Sequence, residues 1–174
     1  MPTEVVRITE YPFPAAELHD ALLNRTYWEA RVAEIDGAEA SLDFFESDGA
    51  TVRLAVSKLI PPERMPDKAA LLRPSGIRFE YSEEWSALVD GCAEGRTDGR
   101  VVGAPVTVSA KLLLRGDDSR CDLRFAGTVT VHIPVLGKPI EDRMIDGVAE
   151  DADDIASFTR QWVRAQHCPS TGGS

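Results

Sequence analysis

The strongest periodic signal in the chain is an alternation of apolar and polar residues over positions 121–133. Cys121, Leu123, Phe125, Gly127, Val129, Val131 and Ile133 fall on one side, and Asp122, Arg124, Ala126, Thr128, Thr130 and His132 on the other. A period of two over that length predicts a long strand with one buried and one wet face. The same period recurs over residues 106–115, where Val106, Val108, Ala110, Leu112 and Leu114 share a side. It recurs again over 77–86, where Ile77, Phe79, Tyr81, Glu83 and Trp85 do. Residues 51–59 group Val52, Leu54 and Val56, residues 38–47 carry Leu42 and Phe44, and residues 3–11 are rich in β-branched side chains. Residues 93–102 read as a weaker strand, diluted by glycine. Asp48-Gly49 and Gly116-Asp117-Asp118 supply tight turns between strands.

Two segments switch to helical spacing. Residues 15–35 place Leu18, Ala21 and Leu22 on one face, followed by Tyr27, Trp28, Val32 and Ile35. A break from Asn24 to Thr26 divides them into two short helices, and Asp36-Gly37 ends the second. From Pro139 to about Arg164, the residues Ile140, Met144, Ile145, Val148, Ala152, Ile155, Thr159 and Trp162 form one apolar stripe, on a helix of about seven turns. Its other face carries Asp146, Glu150, Asp151, Asp153 and Asp154 and reads as solvated. Residues 60–75 hold Pro61, Pro62, Pro66 and Pro74, which bar a regular strand or a long helix. They predict a long loop with one helical turn at 67–72, bordering the entrance to whatever the sheet encloses. The expected architecture is α+β. A curved antiparallel sheet of about seven strands wraps a long C-terminal helix, with two short helices after the first strand. Such a sheet closed by one helix leaves a cavity rather than a flat core.

Charge narrows the partners. With 19 basic and 29 acidic residues the 174-residue chain carries a net charge of -10. That field repels phosphate backbones, which argues against a nucleic-acid binder and disfavours anionic membranes. A chain of this length buries about 70% of its unfolded surface, enough for one core. Residues 1–168 are therefore read as a single domain and the small, polar residues 169–174 as a disordered tail. Cys92, Cys121 and Cys168 have no CxxC spacing and read as reduced thiols. The first residues show no basic and apolar leader pattern, and no stretch approaches the roughly eighteen apolar residues of a membrane helix. A cytoplasmic protein without stable membrane insertion is expected.

The order of elements, together with Glu83-Glu84-Trp85, Gly103-Ala104-Pro105-Val106 and the continuous run from Gly127 through His132-Ile133-Pro134 to Glu141, resembles the START-like, or Bet v 1-like, helix-grip superfamily. Within it the chain is similar to the DUF2505 type of actinobacterial proteins of unknown function. The resemblance covers residues 3 to about 166. It implies an apolar ligand held between sheet and helix, in a superfamily that includes lipid carriers, hormone receptors, aromatic cyclases and co-chaperones.

The candidate site follows from the strand faces. Glu83 shares a face with Phe79, Tyr81 and Trp85, so a carboxyl is expected inside. There it serves as a polar anchor or as an acid/base group with Tyr81 as helper, or else a bulge or an inward cation accounts for it. Lys58 has the parity of Val52, Leu54 and Val56, and either reaches the cavity mouth to meet an anionic head group or is solvated. Phe125, Met144, Val148 and Trp28 complete the expected ligand contacts. His19, His132 and His167 are scattered, and no metal-ligand or phosphate-loop pattern is present, so neither metal nor cofactor is expected. Gly91, Gly95, Gly99 and Gly103 recur every four residues among charged neighbours and read as a flexible, twisted strand. The leading reading is a binding or carrier module for a hydrophobic, lipid- or polyketide-like small molecule. A cyclase or dehydratase using Glu83, and a protein-interaction module of co-chaperone type, are the alternatives.

Overall fold

A computed structural model describes residues 2–168, and the expected tail at 169–174 lies outside the described residues. Strand β1 (Thr3–Tyr11) forms one edge of the sheet. Helices α1 (Ala15–Leu22) and α2 (Arg25–Arg31), with a π-helical turn (Val32–Asp36), carry the chain across to the far edge. From there β2 (Ser41–Ser47), β3 (Val52–Ile60), β4 (Ile77–Trp85), β5 (Cys92–Val101), β6 (Val106–Gly116) and β7 (Cys121–Val131) follow as a meander. The connection between β3 and β4 contains a 3-10 turn (Pro62–Arg64) and helix α3 (Asp67–Leu72), and the last element is α4 (Gly137–His167). β7 pairs antiparallel with β1, from Thr3 opposite Val129 to Tyr11 opposite Cys121, so the sheet order is β1-β7-β6-β5-β4-β3-β2.

Local chemistry explains the boundaries. Asn24 ends α1 and starts α2, its side-chain oxygen accepting the Thr26 N–H at 2.9 Å. The π turn stops at Gly37, whose φ of 97° suits glycine. In β2 the register shifts between Leu42 and Phe44. The extra residue, Asp43, reverses the alternation expected for this strand, so Phe45 packs against the core while Phe44 is 46% exposed. α4 begins at Gly137, ahead of Pro139, and spans 31 residues, longer than the stripe alone predicts. All three cysteines are unpaired, and burial pushes the Cys121 thiol up to about 12.

The interior is divided along its length. One end is solid: Trp28, Tyr27, Leu18, Leu22, Leu54 and Leu114 pack with Trp85, Phe158 and Val163. Here Tyr27 donates to Thr159 Oγ1 at 2.8 Å, and Thr159 donates on to the Ile155 carbonyl at 2.7 Å. The other end gathers Val101, Val106, Val129 and Val131, with Ile77, Phe79, Ile140 and Met144 around them, more loosely.

The four glycines spaced by four have separate causes. Gly91 and Gly103 sit at turns with φ of 74° and 78°. Gly95 and Gly99 lie within β5 beneath aromatic rings from β4. A Cβ at 95 would come within 2.8 Å of the Trp85 ring, and one at 99 within 2.4 Å of Phe79 Cζ. Rings laid across glycines take the place of the missing side chains and set the shape of the sheet's inner surface.

Candidate functional site

The looser end encloses a cavity of about 450 Å³ between the sheet and the N-terminal half of α4. Phe79 and Tyr81 of β4, Thr97, Gly99 and Val101 of β5, Val106 and Val108 of β6 and Phe125 of β7 form its concave wall. Ile140, Met144, Val148 and Asp151 face them from α4. The proline-rich connection closes one side through Arg64, Met65, Pro66, Ala69, Leu72 and Arg73, so it borders the entrance as its sequence predicts. Leu72 is 72% exposed and Val102 43%, which marks the open end.

Where the cavity meets the solid core, the wall becomes polar. Lys58 Nζ, with only 12% of its side chain exposed, donates to Asp36 Oδ1 at 2.8 Å and to Asp151 Oδ2 at 3.1 Å. Tyr81 donates its hydroxyl to Asp36 Oδ2 at 3.1 Å. Arg64 Nη2 reaches Asp151 Oδ1 at 3.0 Å and Glu150 at 3.6 Å. These bonds join β3, β4, the π turn, the proline-rich connection and α4 into one floor. Lys58 is neither solvated nor free for an anionic head group, because two carboxylates already take up its charge. Burial, then Asp36, raises the Tyr81 phenol well above its ordinary value, so it remains a donor.

Behind this floor lies a second polar group. Glu83 is 8% exposed, as the alternation of β4 requires, and its Oε1 accepts the Trp85 indole N–H at 2.7 Å. Burial raises its carboxyl, Arg31 and the Trp85 hydrogen bond oppose the rise, and Asp36 adds to it. Arg31 is 9% exposed and stacks 4.4 Å from the Trp28 ring centroid. Its Nε finds no hydrogen-bond partner among the described residues. Burial works against its charge, and the surrounding Tyr27, Tyr81, Glu83 and Asp36 more than offset that.

Of the residues expected at the site, the cavity brings together Lys58, Phe79, Tyr81, Phe125, Met144 and Val148. Glu83, Trp85 and Trp28 are buried but stand outside the lining, in the solid end. Trp28 spends its indole N–H on the Leu22 carbonyl at 2.8 Å. Sequence reasoning passed over Asp36, Arg64 and Asp151, and Arg31 behind them. The charge of Asp151 predicts a place on the solvated face. Its spacing from Met144 and Val148 puts it on the edge of the apolar stripe, where Lys58 and Arg64 hold it.

Gly99 makes the wall testable. Gly99→Ala should drive the Phe79 ring off the strand and into the cavity. Overpacking of this kind costs about 1–3 kcal/mol, read as a lower urea midpoint. An unchanged midpoint would mean that the ring moves aside freely.

A curved antiparallel sheet closed by a C-terminal helix, with an apolar cavity between them, is the helix-grip fold. Residues 8–163 match the model of a family described as a protein of unknown function, DUF2505, and the chain belongs to that family. An uncharacterized protein of Mycobacterium tuberculosis is 23% identical over 172 residues, covering 94% of this chain and 98% of that protein. Among solved structures, the Zhui aromatase/cyclase of a Streptomyces species superposes with a TM-score of 0.59 at 13% identity, over 100% of both chains. Ara h 8.0201 gives 0.57 at 13% identity, over 95% of this chain and 99% of that one. A START superfamily protein of Mycobacterium smegmatis gives 0.52 at 12% identity, over 94% and 98%. At these identities the likeness is one of fold.

Proposed function

We propose that the protein binds or carries a hydrophobic small molecule, lipid- or polyketide-like, in the cavity between β4–β7 and α4. The observation that carries this reading is the cavity itself, about 450 Å³, walled by Phe79, Phe125, Met144 and Val148 and polar at one end. Sites for drug-sized ligands occupy about 300–1,000 Å³ and combine an apolar wall with a few placed polar groups. The floor also bears on the ligand's polar group. Lys58, Asp36, Asp151 and Arg64 already balance one another, so a full charge inserted there would lack a counter-ion. A neutral hydroxyl or carbonyl near Tyr81 and Lys58 fits better. A carrier is favoured over a cyclase because Glu83 is bonded to Trp85 behind the floor, out of the wall where an acid or base must reach its substrate.

Native mass spectrometry of the protein purified from its own host tests the reading. The expected spectrum contains a co-purified apolar compound released on unfolding. A ligand-free spectrum, together with failure to take up the apolar fluorophore Nile red in solution, would overturn it.

A further inference from the structure

Stability does not explain the polar floor of the cavity. Lys58, with 12% of its side chain exposed, and Asp36, with 5%, form a buried ion pair. Apolar side chains of similar volume commonly serve a fold as well as such a pair does, or better. Asp36 is also the last residue of a π-helical turn, a rare conformation that recurs at functional sites. What the hydrogen bonds of the floor leave over gives it a use.

An ammonium group has three N–H donors. Lys58 Nζ spends one on Asp36 Oδ1 at 2.8 Å and one on Asp151 Oδ2 at 3.1 Å. The third has no acceptor among the described residues. A phenol has one donor and an oxygen that also accepts. Tyr81 spends its donor on Asp36 Oδ2 at 3.1 Å, and no described residue donates to its oxygen. Both side chains line the cavity. Both are held by the two oxygens of one carboxylate, so the spare donor and the spare acceptor stay together on the floor. Thr97, the hydroxyl of the neighbouring wall, adds no donor, because it bonds to the Ser82 carbonyl at 3.0 Å.

A spare donor beside a spare acceptor matches a group that accepts and donates at once. A hydroxyl does both with a single atom. A ketone or an ether only accepts, and would leave the Tyr81 oxygen unpaired. An ammonium only donates, and would meet the charge of Lys58. A carboxylate only accepts, and adds a charge to a set already balanced, Lys58 and Arg64 against Asp36 and Asp151. Phe79, Phe125, Met144 and Val148 offer apolar surface to the rest of the molecule.

We infer that the cavity selects an apolar ligand carrying a hydroxyl group, phenolic or alcoholic, which accepts a hydrogen bond from Lys58 Nζ and donates one to Tyr81 Oη. The inference rests on the cavity reading and narrows its ligand to one chemical class.

Fluorescence titration of the full chain with pyrene, methoxypyrene and hydroxypyrene near neutral pH tests it. The three share one apolar body. The second can only accept, and the third both accepts and donates. Hydroxypyrene should bind roughly tenfold more tightly than methoxypyrene. A purely apolar cavity gives the reverse order, because the methyl ether is the more hydrophobic of the two. Tyr81→Phe keeps the ring, removes the acceptor and should bring the two affinities together. If that variant fails to fold, the wild-type ratio still decides. The inference is overturned if wild type binds methoxypyrene as tightly as hydroxypyrene, or if folded Tyr81→Phe keeps the full preference, and in both cases the cavity reading stands. Binding of none of the three overturns the cavity reading and this inference together.

Discussion

Replacing Arg31 with alanine should destabilise the fold by about 3 kcal/mol or more near neutral pH, and the loss should shrink on acidification. The Arg31 guanidinium is the main influence holding the Glu83 carboxyl down against its burial. Removing it leaves a buried carboxylate with only the Trp85 indole, and also empties the space over the Trp28 ring. The sign follows from linkage. Glu83 titrates above its ordinary value in the folded protein. Its contribution is therefore fully present below the unfolded carboxyl value and is lost as pH rises through the folded one. Without Arg31 the folded value climbs further, so the loss widens toward neutral pH. Urea midpoints of wild type and Arg31→Ala, compared at about pH 5 and about pH 8, should differ more at the higher pH. An equal difference at both would show that Arg31 and Glu83 are not coupled.

The second large effect concerns the cavity. Val148→Trp places an indole between Met144 and the floor, in space bounded by Phe79 and Phe125. Nile red affinity should fall by roughly a hundredfold, because a site filled by protein has no room for an occupant. Stability should change little, since the indole enters existing space rather than packed atoms. Fluorescence titration beside a thermal melt distinguishes the outcomes. Full affinity in a folded variant would place the occupant elsewhere, on the exposed rim for instance.

The two stripes show how far the sequence could be read. Alternation located the strands and even the inward turn of Glu83, since a period of two leaves no freedom about which face a residue takes. It failed at β2, where one unpaired residue, Asp43, reverses the faces and leaves no apolar signature of its own. Helical spacing locates α4, but the charge of Asp151 points to water although its position belongs to the stripe. Arg31 is a parallel case, one turn beyond Tyr27 and Trp28 on the buried side of α2. What could not be read was pairing at a distance. Nothing in the neighbourhood of Lys58 in sequence indicates that Asp36 and Asp151 meet over it, because that depends on where the crossover and the terminal helix come to rest. The division into a solid end and a hollow end was hidden for the same reason, and it is what separates Glu83 from the wall.

The pairing of β1 with β7 has a consequence during synthesis. Of the seven strands β1 is made first, yet β7, its one partner in the sheet among the described residues, is made last and is completed at Val131. At about 5–20 residues per second the nascent strand waits on the order of ten seconds. Throughout that interval it is a free edge whose outward side chains include Val6 and Ile8, exposed even in the finished fold. The same six strands that will make the meander emerge in the order in which they pair, so the sheet grows toward β1 from the opposite edge. The last event in the sheet is then the capture of its first-made strand. Crowded nascent chains therefore offer β1 to one another before they can bury it, and conditions that slow translation between β1 and β7 should raise the insoluble fraction.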